Sequence, residues 1–486
     1  MINPPGDVWA GVDVGTQSLR VYLVDAAGAV AGRGSGRLRS HRRVAEDGTR
    51  RHEQDPAQWW QVLGEAFRQA LAGLDGRAGA DRVRGVAFCS TSGTFTLAGP
   101  DGLARTPAVM YDDARAHVEA AKVAATGADL WTALGYPMQP SWALPKLVHL
   151  LRAGHRGRLQ HCADHLAERL AGAPVATDWS HALKTGYDVA AGTWPSPVLD
   201  RLGVPADMLP DVVRPGHRIG AVGAAGAAHT GLTVGTPIHA GLTDGCAAQA
   251  AAGALTPGSW NSVLGTTLVL KGVTTERLRD PGGAVYSHRH PDGGWLPGGA
   301  SNVGAGVLDA RFPGADQTAL DAAAAAYEPA AGLSYPLLSK GERFPFVDPE
   351  AEAFDAGRFS GTAERYAALL QGVALVERLC FAYLQGLGAD ISGPVTLTGG
   401  ATRSRYWTQL RADILGRDVI LPAHAEPAFG AAACAAAGDG SLTAAAQKMA
   451  GDGRVVAHRP EVHERFAEPY AKFVAELHDR GYLERA

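Results

Sequence analysis

Val8–Val24, VWAGVDVGTQSLRVYLV, is the stretch from which the fold can be read. Branched and aromatic residues alternate with smaller ones on both sides of Gly15–Ser18, the pattern of two antiparallel strands joined by a short loop. A third strand is expected around Ala29–Gly32, after the turn at Asp25–Gly28. Within the loop, Gly15 lets the backbone approach a ligand closely, and Thr16, Gln17 and Ser18 add amide and hydroxyl donors suited to a phosphate. Asp13, just ahead of the loop, suits a magnesium-bound water or a substrate hydroxyl. Alone, such a loop is more often an ordinary turn, because Gly, Ser and Thr dominate turns generally.

The pattern returns at Trp260–Val273, WNSVLGTTLVLKGV, again strand, Gly-Thr, strand. Two such hairpins facing each other would cradle the two ends of a polyphosphate, so Gly265, Thr266 and Thr267 join Gly15, Thr16 and Gln17 as candidate nucleotide contacts. Between the copies lies Gly241–Gly253, GLTDGCAAQAAAG, and from Arg218 to Lys271 the sole Asp, Glu, Lys or Arg inside that interval is Asp244. At the head of an Ala-rich segment it reads as a helix N-cap, since its oxygens can accept the free amides of a first turn. A second use of the same position is as a base, because a helix start favours an ionised carboxylate that can accept a proton.

Working outward, Asp55-Pro56 caps a helix expected to run to Leu71. Val83–Cys89 is a buried strand ending in the hydroxyl-rich loop Ser90–Thr94, and strand ends of open α/β sheets are where small ligands bind. Met110–Arg115, MYDDAR, sets Asp112 and Asp113 beside Arg115, either as solvated surface or as a holder of polyol hydroxyls. Thr177–Asp188, TDWSHALKTGYD, is dense in hydrogen-bonding groups, and its His181 is a candidate sugar contact. Val395–Trp407, VTLTGGATRSRYW, is a strand, a glycine turn and a helix start. Gly399 and Gly400 leave bare backbone for a ring or ribose there, and the helix opening at Ser404 can face an oxygen. The terminal HERFAEPYAKFVAELHDRGYLERA reads as an amphipathic helix packed back on the body.

Composition narrows the classes. At 486 residues the chain exceeds one core and calls for about two to four domains. A formal net charge of -4 with 19% charged residues has no basic patch for nucleic acid. No leader is visible in MINPPGDVWAG, and no stretch resembles a membrane span. Five scattered cysteines, none in a CxxC pair, argue against disulfides and zinc and point to a reducing cytoplasm. The 62 glycines and many alanines read as compositional bias.

Six pieces in order, DVGTQS at Asp13–Ser18, HEQDPAQWW at His52–Trp60, GLTDGCAAQAAAG, the second GTT loop, GERFPFVDP and TGGATRSRYW, resemble the FGGY family of carbohydrate kinases over nearly the whole chain. The resemblance implies an α/β fold of two ribonuclease-H-like domains, related to actin and the heat-shock chaperone ATPases, with ATP and sugar meeting in an interdomain cleft. The expected division is a sugar-binding and catalytic domain over 1–250, a nucleotide-binding domain over 251–440, and a helical extension over 441–486. It implies ATP-dependent phosphoryl transfer with Mg²⁺, Asp244 as the base, Asp13 and Asp244 at the metal, and Asp13 and Thr16 in the first phosphate loop. Gly265 and Thr266 fall in the second loop, and Gly399, Gly400, Ser404 and Trp407 at the adenosine.

Where xylulose kinases usually carry SGQMHG, this chain has STSGTF, lacking the Gln and His that touch the sugar. That loop, the YDDAR region, HALKTGYD, YSHR at Tyr286–Arg289 and GGASNVGAG resemble the D-ribulose kinase branch of cyanobacteria and plants. Ser92 is then the foremost added sugar contact, beside Asp13, Asp112, Asp113, His181 and Asp244. D-ribulose is the expected acceptor, with D-xylulose or another polyol as the alternative. An ATP-switched interaction protein of the actin or chaperone kind is a further reading, as is a sugar-binding protein with an inactive nucleotide site. The expected partners are sugar and ATP, with a homodimer compatible and no nucleic acid or membrane.

Overall fold

The computed structural model describes residues 6–74, 77–136 and 138–483, so Met1–Pro5 of the segment read for a leader lies outside it. Two compact units divide the chain, one of Met1–Gly253, His288–Gly294 and His424–Gly451, the other of Ala254–Ser287, Trp295–Ala423 and Asp452–Ala486. Each has the ribonuclease-H-like plan: three antiparallel strands joined sideways to parallel ones.

In the first unit the strands run in the order Arg218–Ala221, Pro237–Thr243, Val83–Ser90, Val8–Val14, Ser18–Asp25, Val30–Arg37. Val14 pairs with Leu19 across the tight turn, which closes through the Gly15 amide donating to the Ser18 carbonyl at 3.0 Å. The third strand is longer than the sequence suggested, because Gly32, Gly34 and Gly36 lie directly beneath the helix Pro56–Ala72. A Cβ at Gly34 would stand 1.9 Å from the Ala66 carbonyl oxygen. Asp55 caps that helix through the Ala57 amide, as its place before Pro56 predicts.

A smaller five-stranded sheet in this unit contains Phe95–Ala98 and Ala108–Val109. It thereby anchors the far side of the Ser90–Thr94 loop and the start of Met110–Arg115.

The helix Pro427–Ala437 belongs to this first unit, not to the second half where its position in the chain placed it. It lies flat on the Val8–Val14 strand, where a Cβ at Gly11 would come 1.8 Å from the Ala428 carbonyl oxygen, and on the helix Asp244–Ala251, where one at Gly430 would come 1.8 Å from the Ala247 oxygen. Glycine and alanine are therefore packing residues here, since any larger side chain would separate these backbones. The expected extension over 441–486 is likewise split: Leu442–Ala450 packs in the first unit, while Pro460–Arg465 and Ala467–Asp479 belong to the second.

The second unit repeats the plan. Six strands of its seven-stranded sheet run Trp295–Ser301, Leu268–Gly272, Trp260–Leu264, Val395–Thr398, Val419–Leu421, Arg454–Val456. The first three are antiparallel, and Val395–Thr398 is parallel to both Trp260–Leu264 and Val419–Leu421. Thr362–Gly386, 25 residues, is long and apolar enough to span a membrane but is 78% buried over its most apolar window as the core helix of this unit.

Candidate active site

The parallel strands of the first unit all end on one edge. In register, Asp13 lies opposite Cys89 and Val14 opposite Ser90, while Leu242 and Thr243 lie opposite the same pair from the other side. Asp13 and Asp244 thus flank Ser90 at the carboxyl ends of three neighbouring strands, the edge where α/β sheets bind ligands.

Asp13 is 4% exposed, with Arg20 Nη1 3.4 Å from Oδ2 and the Cys89 thiol donating to Oδ1 at 3.8 Å. Burial, and then the charge of Asp244, push its pKa up to about 7. Asp244 occupies the first position of its helix, and the N-cap position belongs to Thr243, whose side chain makes no capping bond. The cap reading of Asp244 is therefore corrected. Its Oδ1 accepts the adjacent Gly245 amide at 2.7 Å, and the residue is half-buried.

The first Gly-Thr loop is braced from behind. The Thr16 carbonyl accepts Gln54 Nε2 at 2.6 Å and Ser40 Oγ at 3.3 Å, and the Gln17 carbonyl accepts the Leu38 amide. In the Ser90–Thr94 loop, Ser92 Oγ is buried without a protein partner, a hydroxyl left for a ligand or an ordered water to satisfy. Its loop is held by Lys146, a fully buried lysine whose Nζ donates to the carbonyls of Gly93 at 2.9 Å and Met110 at 2.7 Å. Burial lowers its pKa to about 7.

The two acids after Met110 separate. Asp113 is wholly buried, accepting the His52 amide at 2.7 Å and a forked pair of bonds from Arg115. Although burial alone would raise it, Arg115 holds its pKa below the usual carboxylate range. Every oxygen of Asp113 is committed, so it supports the turn and is not a sugar contact. Asp112 is 30% exposed at its side chain, paired with His52 and Arg42, and keeps an accessible edge. His181 is also corrected: it is fully buried, with Nδ1 on Asp178 and Nε2 on Ser90 Oγ, and has no nitrogen left for a ligand. An isolated histidine in a polar run gives no sign of which.

The second unit gathers its own set around a cavity of about 310 Å³. Gly265, Thr266, Gly400, Ser404 and Trp407 line it, joined by Ala305, Gly306, Asp309, Gln317, Tyr366 and Arg403. The Gly265 and Thr266 carbonyls accept the amides of Ala305 and Gly306, so the VGAG turn pins the second Gly-Thr loop. Gly399 and Thr267 lie outside the lining. Gly399 has φ +90° and sits where a Cβ would meet the Leu264 oxygen at 2.4 Å, so it serves the turn between strands rather than a ring. Ser404 caps its helix through the Trp407 amide and donates to Asp321, while the Trp407 indole donates to the Leu370 carbonyl from a buried floor. Arg403, the lone cation of GGATRS, and Gly306 were legible signals that the sequence reading passed over.

Residues 8–251 match the model of the FGGY family of carbohydrate kinases, N-terminal domain, and residues 260–438 its C-terminal domain. The chain belongs to the FGGY family of carbohydrate kinases. This kinase is 31% identical over 453 residues to the xylulose kinase of Streptomyces rubiginosus, with 89% of this chain and 88% of the relative covered. It is 28% identical to the xylulose kinase of Escherichia coli, with 87% and 89% covered. A xylulose kinase structure from Rhodospirillum rubrum superposes with a TM-score of 0.85 at 26% identity, covering 97% of this chain and 99% of the other. The glycerol kinase of Plasmodium falciparum with ADP shares the fold, with a TM-score of 0.82 at 16% identity and 99% of each chain covered. The family makes this chain a sugar kinase, with sugar and ATP as its small-molecule partners. The two sequence relatives and the Rhodospirillum rubrum structure are xylulose kinases, which supports the alternative acceptor over the D-ribulose expectation.

Proposed function

We propose that this kinase transfers the γ-phosphoryl group of ATP to a 2-ketopentose, with D-xylulose as the leading acceptor. The observation that carries the chemistry is the pair Asp13 and Asp244 at one strand edge, either side of Ser90. Phosphoryl transfer needs placement and charge stabilisation more than covalent chemistry. Asp244 takes the proton of the attacking sugar hydroxyl, the role of a positioned general base. Ser92 and Asp112 hold other hydroxyls of the sugar. ATP is held by the cavity of the second unit, with its phosphates against Gly265 and Thr266 and its nucleoside toward Gly400, Ser404 and Trp407.

The donor set also fits Mg²⁺. Among the described residues no group of three or more His, Cys, Asp or Glu gathers for a metal. Mg²⁺ in phosphoryl-transfer sites, however, uses one or two carboxylates with the substrate phosphates and waters. Asp13 and Asp244 would supply these, and a cation would offset both the burial that chiefly raises Asp13 and the repulsion from Asp244 that adds to it. When bound, the metal neutralises charge on the transferring phosphoryl group. All five cysteines are free and buried, which suits a reducing compartment.

D-xylulose leads because the relatives at 31% and 28% identity are xylulose kinases; D-ribulose stays as the second reading because of the STSGT loop, whose Ser92 hydroxyl lacks a protein partner. The two sugars differ only at C3, so ADP release should be followed with D-xylulose, D-ribulose and a panel of polyols. A kcat/KM ratio of about ten or more for D-xylulose is expected, from the worth of one well-placed hydroxyl contact. A reversed ratio returns D-ribulose, and no acceptor-dependent ADP release from any of them would overturn the kinase assignment to pentuloses.

A further inference from the structure

Within Thr177–Asp188, the side chains of Asp178, Ser180 and His181 are buried, yet they are tied to two strand ends of the proposed sugar site. Asp178 is buried and caps the short helix Trp179–Ala182, its Oδ1 accepting the amides of Ser180 at 2.8 Å and His181 at 3.1 Å. The same oxygen accepts the Ser180 hydroxyl at 2.5 Å, and Oδ2 accepts His181 Nδ1 at 2.5 Å. From there two arms diverge. His181 Nε2 meets Ser90 Oγ at 2.9 Å, and Ser180 Oγ accepts the amide of Thr243 at 2.9 Å.

Thr243 is the last residue of its strand, and Asp244 begins the helix immediately after it. The bond to Ser180 therefore fixes the Leu242–Thr243 peptide, one residue ahead of Asp244, while the bond from His181 to Ser90 fixes the strand end between Asp13 and Asp244. The order Asp–His–Ser matches that of acyl-transfer triads. Here Ser90 and His181 are both fully buried, so no substrate reaches the hydroxyl, and a nucleophilic role is excluded. What remains is geometry: a single carboxylate, through two side chains, sets the position of two neighbouring strand ends.

We propose that Ser180, oriented by Asp178, is a positioning residue for Asp244 in phosphoryl transfer. The inference rests on the reading of Asp244 as the base. Ser180 uses its one proton toward Asp178 and a lone pair toward the Thr243 amide, so alanine at this position frees that amide and lets the helix start drift. Small displacements of a reacting group cost much in rate, and a misplacement of order 1 Å can cost about a hundred-fold.

The test compares Ser180→Ala, Ser180→Thr and Asp244→Ala. Ser180→Ala should lower kcat about ten-fold or more while the KM values for ketose and ATP stay within about two-fold, and Ser180→Thr, which keeps the hydroxyl, should recover most of the loss. Hydrogen exchange at the Thr243 amide should quicken in Ser180→Ala and not in Ser180→Thr. Wild-type kcat in Ser180→Ala, or an equal fall in Ser180→Thr, overturns the inference. Should Ser180→Ala not fold, Ser180→Cys, similar in shape but a weaker acceptor, must show the same fall in kcat at unchanged KM, and wild-type kcat there overturns it. The outcomes separate cleanly from those for the base. If Asp244→Ala keeps more than about a hundredth of the rate, the base assignment itself fails; if Asp244→Ala is inactive and Ser180→Ala is normal, the positioning role alone fails.

Discussion

The two copies of the strand–Gly-Thr–strand device differ at one position in particular. Two residues before Gly15 stands Asp13, and two residues before Gly265 stands Val263. In the second unit the nearby charges are neutralised inside the core: Arg411 bonds Glu377 at 2.7 Å, both are buried, and Ser262 Oγ joins them from the strand that leads to Gly265. The loop beyond opens on a cavity whose glycines, alanines and two aromatic rings are joined by the polar side chains of Thr266, Asp309, Gln317, Arg403 and Ser404. In the first unit the buried acid has only a distant Arg20 and a thiol, and a second acid faces it. One scaffold therefore carries a buried acid held by a forked arginine in one unit, and in the other two neighbouring acids whose charges oppose each other.

The sharpest way to break the comparison is at Asp244. Asp244→Ala should cut turnover by at least about a hundred-fold while the protein still folds, since a general base is worth roughly 10²–10⁴ in rate. Steady-state kinetics beside calorimetry would decide it, and retention of full activity would erase the contrast between the units.

Next comes Asp13, whose pKa is raised from 3.8 to about 7 in the fold. Between these values the folded protein keeps a proton that the unfolded chain has released, so stability should fall as pH rises from about 4 to about 7 and stay low above it. Asp13→Asn cannot ionise and should lose that slope. It should be more stable than the native protein at pH 8, by up to about 4 kcal/mol at roughly 1.4 kcal/mol per pKa unit, and no more stable near pH 4. Urea midpoints at the two pH values measure the difference.

In the second unit the corresponding weak point is steric. Gly399→Ala puts a Cβ against the Leu264 carbonyl at φ +90° and should cost roughly 3 kcal/mol, with weaker ATP binding by calorimetry and unchanged binding of sugar. The smallest effect is expected at Arg403, exposed at the cavity rim. Arg403→Ala should raise the KM for ATP about two- to five-fold and leave kcat alone, as befits a screened surface charge. A larger change would mean that the second unit, too, relies on charge.

Much of this was visible in the residues themselves. The hairpins at Val8–Val24 and Trp260–Val273, the Asp55-Pro56 helix start and the Ser404 cap follow from alternation and from capping chemistry, which act over a few residues. Asp13, Asp244 and the linings at Gly265, Thr266, Gly400 and Ser404 stood out because a lone acid or a glycine turn is conspicuous in its neighbourhood. Asp113 and His181 looked the same as ligand contacts, since a polar side chain carries no mark of whether it faces solvent or a buried partner. Lys146 and Asp178 gave no signal, because their partners at Gly93, Met110 and, through Ser180, Thr243 lie far along the chain.

Sequence alone determined the repeated hairpin, the family and the chemical types at the strand ends, because these depend on local pattern and on residue identity. Tertiary structure decided that Pro427–Ala437 returns to the first unit, which acids keep an open edge, and which polar groups are spent on one another. An alanine helix has no face to declare its partner, and only contact with Gly11 and with Ala247 opposite Gly430 selects it. Likewise a carboxylate is reactive or structural according to burial and to the donors that reach it, and both are properties of the packed chain.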